Sequence, residues 1–143
     1  MGLPGRRGGG TAPVTWNVLS DVTSQALAAA LRGTAARHAA LASNIANVDT
    51  PGYARADVSF EPALAAAIEY ARREPGQPTD LISASMPRAQ RDRLARTRAD
   101  GNSVDIDREM TALARNTLAQ RAAAEMLAAR IRLLRAAIHG GRT

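Results

Sequence analysis

The chain has no cysteine and no lysine among its 143 residues, and its only aromatic side chains are one tryptophan, two tyrosines and one phenylalanine. Without cysteine, the protein can form no disulfide, no thiolate metal site and no catalytic thiol. Because large apolar side chains are scarce, we expect a thin core and marginal stability for the isolated chain. Such a composition fits a cytosolic protein, or one that is exported unfolded.

The beginning of the chain, MGLPGRRGGGTAPVTW, contains arginines but no apolar run behind them. We therefore expect no cleavable secretory signal. No other stretch is long and apolar enough to predict a membrane span. Glycine and proline are frequent at this end, which predicts a disordered tail over residues 1–18.

The formal net charge is +6, and all 19 basic side chains are arginines. An excess of this sign is compatible with a nucleic-acid or acidic-membrane partner. A GC-rich coding sequence accounts for it equally, because it favours arginine over lysine and also enriches alanine and glycine. The arginines are spread along the whole chain, which favours the second explanation.

Apolar residues recur along two segments with alternating spacings of four and three, the pattern of a coiled-coil seam. Ser20 and Asp21 offer an N-cap and a first-turn acid for the first segment, and Asp105 opens the second. The pattern predicts paired helices over residues 19–48 and 105–139. The seam residues are Leu27, Leu31, Thr34, His38, Leu41, Ile45 and Val48 in the first, and Ile106, Met110, Leu113, Thr117, Gln120, Ala124, Leu127, Ile131, Leu134 and Ile138 in the second.

The middle of the chain, residues 49–104, lacks this periodicity. FEPALAAAIEYARR predicts a short helix after Pro62. Residues 74–100 contain three prolines, many arginines and few large apolar groups. We expect this stretch to be flexible, because it cannot bury enough surface to offset its ordering entropy. The sequence thus predicts an all-α protein with a loosely structured middle.

Patterns for catalysis and metal binding are weak. His38 lies on the predicted seam and His139 at a helix end, and neither stands at a defined spacing from a nucleophile. The stretch DGNSVDIDRE resembles a calcium loop only superficially, because Val104 and Asp105 occupy positions that require an oxygen ligand and a glycine. We predict a polar turn and a helix start there, and a protein that is not an enzyme and needs no cofactor or metal.

The stretch SNIANVDTPGYARADVSF, residues 43–60, concentrates turn-forming residues at the exit from the first helix. Asn44 and Asn47 can bond nearby backbone groups and so compete with helix continuation. Pro51 and Gly52 suit the two central positions of a type II turn. We predict a docking surface made of Asn44, Asn47, Asp49, Thr50, Pro51, Gly52 and Tyr53.

Two stretches of the chain carry a family resemblance. LASNIANVDTPGYARADVSF is similar to the N-terminal motif shared by bacterial flagellar rod and hook proteins. DGNSVDIDREMTALARNTLAQRAAAEMLAARIRLLRAAI resembles the C-terminal helix of proximal rod proteins of the FlgB type. The two matches stand in the right order and at the right ends of the chain.

The resemblance implies that the terminal helices pair as an antiparallel coiled coil and that Asn44–Tyr53 form an elbow turned towards neighbouring subunits. The implied function is a structural subunit that polymerises into the proximal flagellar rod next to the membrane ring, and that flagellum assembly and motility require. The implied partners are other rod subunits, ring and adaptor proteins at the rod base, and the type III export apparatus, which delivers the chain to the periplasmic space without signal cleavage. In the pair, Leu27, Leu31, Leu41 and Ile45 would face Leu127, Ile131, Leu134 and Ile138.

Two other functions stay open at this point. A basic coiled-coil protein could bind nucleic acid through the arginines of residues 88–98, with strongly salt-dependent affinity. That segment has no aromatic side chain for base stacking, and Asp92 and Asp100 reduce its charge. Another flagellar axial subunit would share all the features described above.

Overall fold

The computed structural model describes residues 22–73, 82 and 87–140, so the predicted N-terminal tail lies outside the described residues. The elements are, in chain order, α1 (Val22–Ala46), β1 (Ala56–Asp57), α2 (Glu61–Arg73), β2 (Gln90–Arg91) and α3 (Ile106–Gly140). The predicted all-α fold is confirmed. Among the described residues, no helix has the length and apolar character needed to cross a membrane.

Helices α1 and α3 pack side by side and run antiparallel. The Asn44 Nδ2 atom donates to Glu109 Oε2 at 2.8 Å, and the Asn116 Nδ2 atom donates to the Thr34 carbonyl at 2.9 Å. Moving forward along α1 therefore means moving backward along α3. This direction agrees with the expectation drawn from the family resemblance.

The face between the two helices consists mainly of small and polar residues. In α3 the buried positions are Glu109, Asn116 and Ala123, each seven residues after the last. Small side chains let the two helix axes approach closely, since interaxial distance depends on the side chains at the contact. The buried residues of α1 are Ser24, Ala29, Gly33, Thr34, Ala40, Leu41 and Asn44.

The observed alignment of the helices differs from the predicted one. Leu27 was expected to lie near Leu134 or Ile138. The bond from Asn116 to Thr34 instead brings Leu27, seven residues before Thr34, level with Ala123, seven residues after Asn116. Leu27 therefore lies about three turns nearer the start of α3 than predicted. The end of α3 extends past the first described residue of α1.

Part of the predicted α3 stripe also lies outside the interface: Ile106, Met110 and Ile138 are 40%, 52% and 64% exposed. A stripe with a 3.5-residue period drifts around a straight helix by roughly 20° per heptad. The face of α3 that meets α1 is instead centred on Glu109 and Asn116. Because these two residues are polar, the spacing of large apolar residues does not predict this face. Leu41 is buried, and the remaining large apolar residues of the two predicted stripes are half-buried, namely Leu27, Leu31, Ile45, Val48, Leu113, Leu127, Ile131 and Leu134.

A small apolar cluster joins α2 to α1. Phe60 and Val58 are buried against Ala40, with Leu64 packed beside them. The Phe60 ring lies so close to α1 that a Cβ atom built on Gly33 would be 2.4 Å from it. Because Gly33 has no side chain, the ring of Phe60, the only phenylalanine of the chain, can pack directly against α1 at this position.

Residues 87–100 were expected to be flexible, but they are ordered against the exit from α1. Strand β2 pairs antiparallel with β1, with Arg91 opposite Ala56. The order comes from backbone and polar side-chain bonds rather than from apolar burial, which is why a composition argument misses it. The earlier part of the segment predicted to be flexible lies mostly outside the described residues.

Replacing Gly33 by alanine should destabilise the chain. The added methyl group must displace the Phe60 ring, and overpacking of this kind costs about 1–3 kcal/mol. Alanine is the better helix former by up to about 1 kcal/mol. We therefore expect a net loss of about 1 kcal/mol in the free energy of unfolding, measured by urea denaturation.

Gly140→Ala is the matched control, because a Cβ atom there meets nothing within 4 Å. It should change the free energy of unfolding by no more than about 0.5 kcal/mol. Equal stability of the Gly33→Ala variant and the wild type would show that the Phe60 ring moves aside at no cost.

Candidate functional site

The exit from α1 is a tight turn followed by a change of chain direction. We call Asn44–Tyr53 the elbow. The Tyr53 N–H donates to the Thr50 carbonyl at 3.2 Å, and Gly52 has a φ of +72°. With Pro51 at the second position, this is the predicted type II turn, in which the third residue needs a positive φ.

Asn47 ends the helix in the way its side chain predicted. Its Nδ2 atom donates to the Ser43 carbonyl at 2.8 Å, and its backbone N–H contacts the carbonyls of Ser43 and Asn44 at 3.2 and 3.1 Å. The Thr50 N–H then donates to the Asn47 carbonyl at 3.0 Å. The last turn of α1 thus passes directly into the elbow without an unpaired stretch of backbone.

Asn102 holds the elbow from the other side of the chain. Its side chain is fully buried, and its Nδ2 atom lies 2.9, 3.0 and 2.8 Å from the carbonyl oxygens of Asn47, Val48 and Thr50. Its Oδ1 atom accepts from the Val104 N–H at 2.7 Å. Asn102 therefore satisfies carbonyls that the end of α1 leaves without helical partners.

Two glycines bring the elbow and the loop around Asn102 into backbone contact. The Gly52 N–H donates to the Asp100 carbonyl at 2.9 Å. Gly101 has a φ of +79°, and a Cβ atom built on it would lie 3.3 Å from the Gly52 Cα atom. The positive φ favours glycine at both positions, and at Gly101 the close approach of the Gly52 backbone adds a steric reason.

Asn44 is fully buried and links three parts of the chain. Its side-chain amide exchanges two hydrogen bonds with the backbone of Ala56, accepting at 2.9 Å and donating at 2.7 Å. The same Nδ2 atom donates to Glu109 at 2.8 Å. The Tyr53 hydroxyl lies 3.1 Å from Ser43 Oγ and 3.4 Å from Asn44 Oδ1, so it closes the edge of this cluster.

Glu109 is a buried carboxylate, with only 1% of its surface exposed. Its Oε1 atom accepts from Arg55 Nε at 2.8 Å. Arg55 also donates from Nη1 to Asp92, which follows strand β2. Its Nη2 atom lies 4.0 Å from Asp57 Oδ2. Burial is the largest influence on Arg55 and lowers its pKa, but the bonds and charges of these carboxylates outweigh it and raise the pKa overall.

A second ion pair fixes the start of α2. Arg37 donates from Nη1 and Nη2 to the two carboxylate oxygens of Glu61 at 2.5 and 2.7 Å. Its Nε atom donates to the Val58 carbonyl at 2.9 Å, and its guanidinium lies 4.9 Å from the centre of the Phe60 ring. The hydrogen bonds from Arg37 hold the pKa of Glu61 below its usual value of 4.5.

The charged groups of this site are engaged in fixing chain shape. Asp105 caps α3 by accepting from the N–H groups of Asp107 and Arg108 at 3.1 and 3.2 Å, which matches the predicted polar turn and helix start. His38 is exposed, and His139 Nδ1 lies 2.8 Å from the Arg135 carbonyl. Within the described ranges, no group of three His, Asp or Glu side chains could hold a metal ion.

Sequence reasoning identified the elbow but missed its two main partners. Asn44, Asn47, Thr50 and Tyr53 all take part in the bonds described above. Asp49 and Pro51 are exposed at the tip. Asn102 and Glu109 were not singled out, although their spacing of seven residues, continued by Asn116, was available as a signal.

Comparison with known proteins places this geometry in a class. Residues 25–53, which are most of α1 and the whole elbow, match the family model described as flagella basal body rod protein. The matched segment thus contains the type II turn and the asparagines described above.

Relatives that match most of the chain define the family more closely. The flagellar basal body rod protein FlgB of Salmonella typhimurium strain LT2 is 32% identical over 123 residues, which is 78% of this chain and 89% of that protein. FlgB of Yersinia ruckeri is 38% identical over 100 residues, covering 62% and 73%. FlgB of Escherichia coli strain K12 is 35% identical over 104 residues, covering 62% and 72%.

The chain therefore belongs to the FlgB family of flagellar basal body rod proteins. The predicted family and the predicted role as a structural rod subunit are confirmed. This family is structural and does not form an enzyme class. The comparisons give no support to the nucleic-acid-binding alternative.

Replacing Asn102 by aspartate should be severely destabilising. The new carboxylate has nearly the same shape, but it cannot donate and would face three carbonyl oxygens. Losing these bonds in a fully buried site, with a charge added, should cost about 3 kcal/mol or more in the free energy of unfolding. Asn47→Asp loses a single side-chain bond near the surface and should cost about 1 kcal/mol. Equal losses in the two variants, measured by urea denaturation, would contradict the central role of Asn102.

The lowered pKa of Glu61 predicts a pH-dependent contribution to stability. A carboxylate whose folded-state pKa is depressed stabilises the fold above its unfolded pKa, and this contribution is lost as the pH falls through the folded value. The free energy of unfolding should therefore decline below about pH 4.5, and Glu61→Gln should decline less over that range. Glu125→Gln, which replaces an exposed carboxylate on α3, should run parallel to the wild type. Identical pH profiles for Glu61→Gln and the wild type would contradict a stabilising role for the Arg37 pair.

Proposed function

We propose that this chain polymerises into the proximal part of the flagellar rod, next to the membrane ring, and that its elbow directs the chain towards neighbouring subunits. Its partners in this proposal are further copies, other rod subunits, and the ring or adaptor proteins at the rod base. Flagellum assembly and motility would then depend on it. The observation that carries the proposal is the apolar surface left uncovered on α3.

Several large apolar side chains of α3 are exposed in a chain that has few of them. Leu118, Met126 and Leu133 are 70%, 55% and 69% exposed, and Met110 is 52% exposed. The positions that α3 buries against α1 are instead Glu109, Asn116 and Ala123. Contiguous exposed apolar surface marks interaction sites in soluble proteins. The larger side chains of α3 are therefore suited to contacts with other subunits.

An open groove between α1, α2 and α3 offers a second contact surface. Its apolar wall includes Leu27 and Leu64 on one side and Ala119, Ala122 and Met126 on α3. Alanine allows close approach of another helix, because interaxial distance falls with side-chain size. We propose that a neighbouring subunit packs a helix into this groove.

In this proposal the elbow orients the chain and takes no part in a chemical reaction. Asn102, Asn44 and the Gly52–Gly101 contact fix it by bonds to the backbone, so its orientation relative to the helix pair is set within the chain. Asn44, Asn47, Asp49, Thr50, Pro51, Gly52 and Tyr53 are the residues to which we assign this role. A preformed elbow lowers the entropy that a subunit loses when it docks.

Export through the flagellar type III apparatus is the remaining part of the proposal. The chain has no disulfide to reduce, and its apolar clusters are small, so unfolding it for passage should cost little. Pairing of α1 with α3 and closure of the elbow would follow on delivery to the periplasmic side. The basal body location of the family supports this route.

Complementation of a strain that lacks the gene tests the proposal. The deletion strain should be non-motile, and electron micrographs of its basal bodies should show a membrane ring without a rod. The wild-type chain and Gly52→Asn should restore rods and swarming, because asparagine tolerates a positive φ. Gly52→Val should not, because a β-branched residue resists that conformation.

The two substitutions form a matched pair, since a Cβ atom at position 52 meets nothing within 4 Å. A difference between them is therefore expected to come from the backbone conformation, because the two side chains are similar in size and the Cβ atom itself has space within the chain. Protein levels are compared by immunoblot. Normal rods in the deletion strain would overturn the proposed function, whereas normal swarming of Gly52→Val at wild-type levels would overturn only the role of the elbow.

A further inference from the structure

Four buried positions follow one another at intervals of seven along the second half of the chain. Asn102 and Glu109 are 0% and 1% exposed, and Asn116 and Ala123 are 4% and 6% exposed. The first three are polar, and each bonds to α1 or to the elbow. We call Asn102, Glu109 and Asn116 the polar stripe.

The apolar part of the interface distinguishes poorly between alignments one heptad apart. The interface side of α3 carries alanine at positions 112, 119 and 123, and leucine at 113 and 127. A slide of seven residues keeps the residue type at some of these positions, because Leu134 replaces Leu127 or Ile106 replaces Leu113, and Ala112 and Ala119 replace each other. At other positions it brings in a larger or polar residue, such as Met126 for Ala119 or Gln120 for a leucine. Shape therefore gives only a partial preference for one register in a helix pair with few large apolar side chains.

The polar stripe differs in this respect, because its members need different partners. Asn102 donates to the carbonyls of Asn47, Val48 and Thr50. Glu109 only accepts, and it faces donors on Asn44 and Arg55. Asn116 donates to the carbonyl of Thr34. Along the polar stripe the side chains therefore act as donor, acceptor and donor in turn. The groups that they meet on α1, the elbow and Arg55 act as acceptor, donor and acceptor in the same order.

A slide of one heptad in either direction breaks this order. If Glu109 moved to the place of Asn102, its carboxylate would meet the carbonyl oxygens of the elbow, and Asn116 would face Arg55. In the other direction Glu109 would meet the Thr34 carbonyl, again leaving Arg55 without its buried carboxylate. A buried charge without a partner is among the most costly faults in a protein interior.

We infer that the polar stripe specifies the register of the α1–α3 pair, with Glu109 as the residue that makes the order unambiguous. A buried polar residue that fixes register in a coiled coil is a known device, and it costs stability rather than adding to it. Apolar contacts supply the association, and the stripe selects one alignment among those they allow. This role belongs to the single chain and is independent of where that chain assembles.

Spin-label distance measurements can test the role of the stripe directly. Cysteines replace Ala35 and Leu133, two exposed positions outside the stripe, in a chain that has no cysteine of its own. The two labels are well separated along the helix axis. A slide of one heptad should change their distance by about 10 Å, at 1.5 Å per residue.

The decisive variant combines Glu109→Asn with Arg55→Met. It makes the stripe asparagine at all three positions and leaves no buried charge without a partner, because the other carboxylates beside Arg55, Asp57 and Asp92, are in contact with solvent. We expect helical circular dichroism to be retained and a second distance peak to appear, displaced by about 10 Å from the wild-type peak. A single peak at the wild-type distance would overturn the inference.

Leu41→Ala is the matched control, because Leu41 is a fully buried apolar residue of the same interface. It should lower the thermal midpoint and keep the single wild-type distance. A second peak in this variant would assign register to the apolar contacts and overturn the inference.

If the double variant proves unfolded by circular dichroism, Glu109→Gln is measured instead, since it preserves the shape of the side chain and replaces the charge and one accepting oxygen by an amide group. A folded chain with a displaced second peak would support the inference. A single wild-type peak would overturn it. Loss of the fold in this variant too would show that Glu109 supplies stability rather than register, which also overturns it.

Discussion

The buried carboxylate of Glu109 is the constraint on which the rest of the structure depends. A carboxylate with 1% exposure is tolerable only if both oxygens are engaged. Both partners of Glu109 lie more than 50 residues earlier in the chain. Asn44 belongs to the last turn of α1, and Arg55 follows the elbow and also bonds Asp92 beside β2. Burying Glu109 therefore requires the two long helices, the elbow and the β pair to be in place together. In a chain with small apolar clusters, one carboxylate thus connects the end of α1, the start of α3 and the segment after the elbow.

The chain divides its side chains between internal and external packing in an unusual way. Small and polar residues line the contact between α1 and α3, whereas several of the largest apolar residues of α3 face outward. A protein that had to be stable alone would place those residues inside, because burial of a large apolar side chain is worth about 1.5–3 kcal/mol. The arrangement suits a subunit that reaches full stability in a polymer, which agrees with membership of a rod family.

Much of the fold could be predicted because it follows from local rules. The helices, the cap at Asp105 and the type II turn at Pro51–Gly52 each depend on neighbouring residues. The alignment of α1 with α3 could not be predicted in the same way, because the helices meet along Glu109 and Asn116 and not along their largest side chains. The order of residues 87–100 was missed for a related reason: Asp92 and Asn102 hold that segment through specific bonds, which composition does not record. For the candidate site, the sequence identified the turn residues themselves but not the buried asparagine and glutamate that bind them from a distance.

The hydrogen bonds around the elbow constrain the identity of the donor residue more than that of the acceptor residue. Asn102 binds the carbonyls of Asn47, Val48 and Thr50, and Asn116 binds that of Thr34. Any residue supplies a backbone carbonyl, so these accepting positions can change their side chains during evolution while the bonds persist. The donating asparagines have no such freedom, because no other side chain places an amide nitrogen at the same reach. Substitutions should therefore be tolerated better at positions that contribute only a backbone carbonyl than at the buried asparagines that donate to it. The surface of the elbow can thus vary to suit different neighbouring subunits while its shape is preserved.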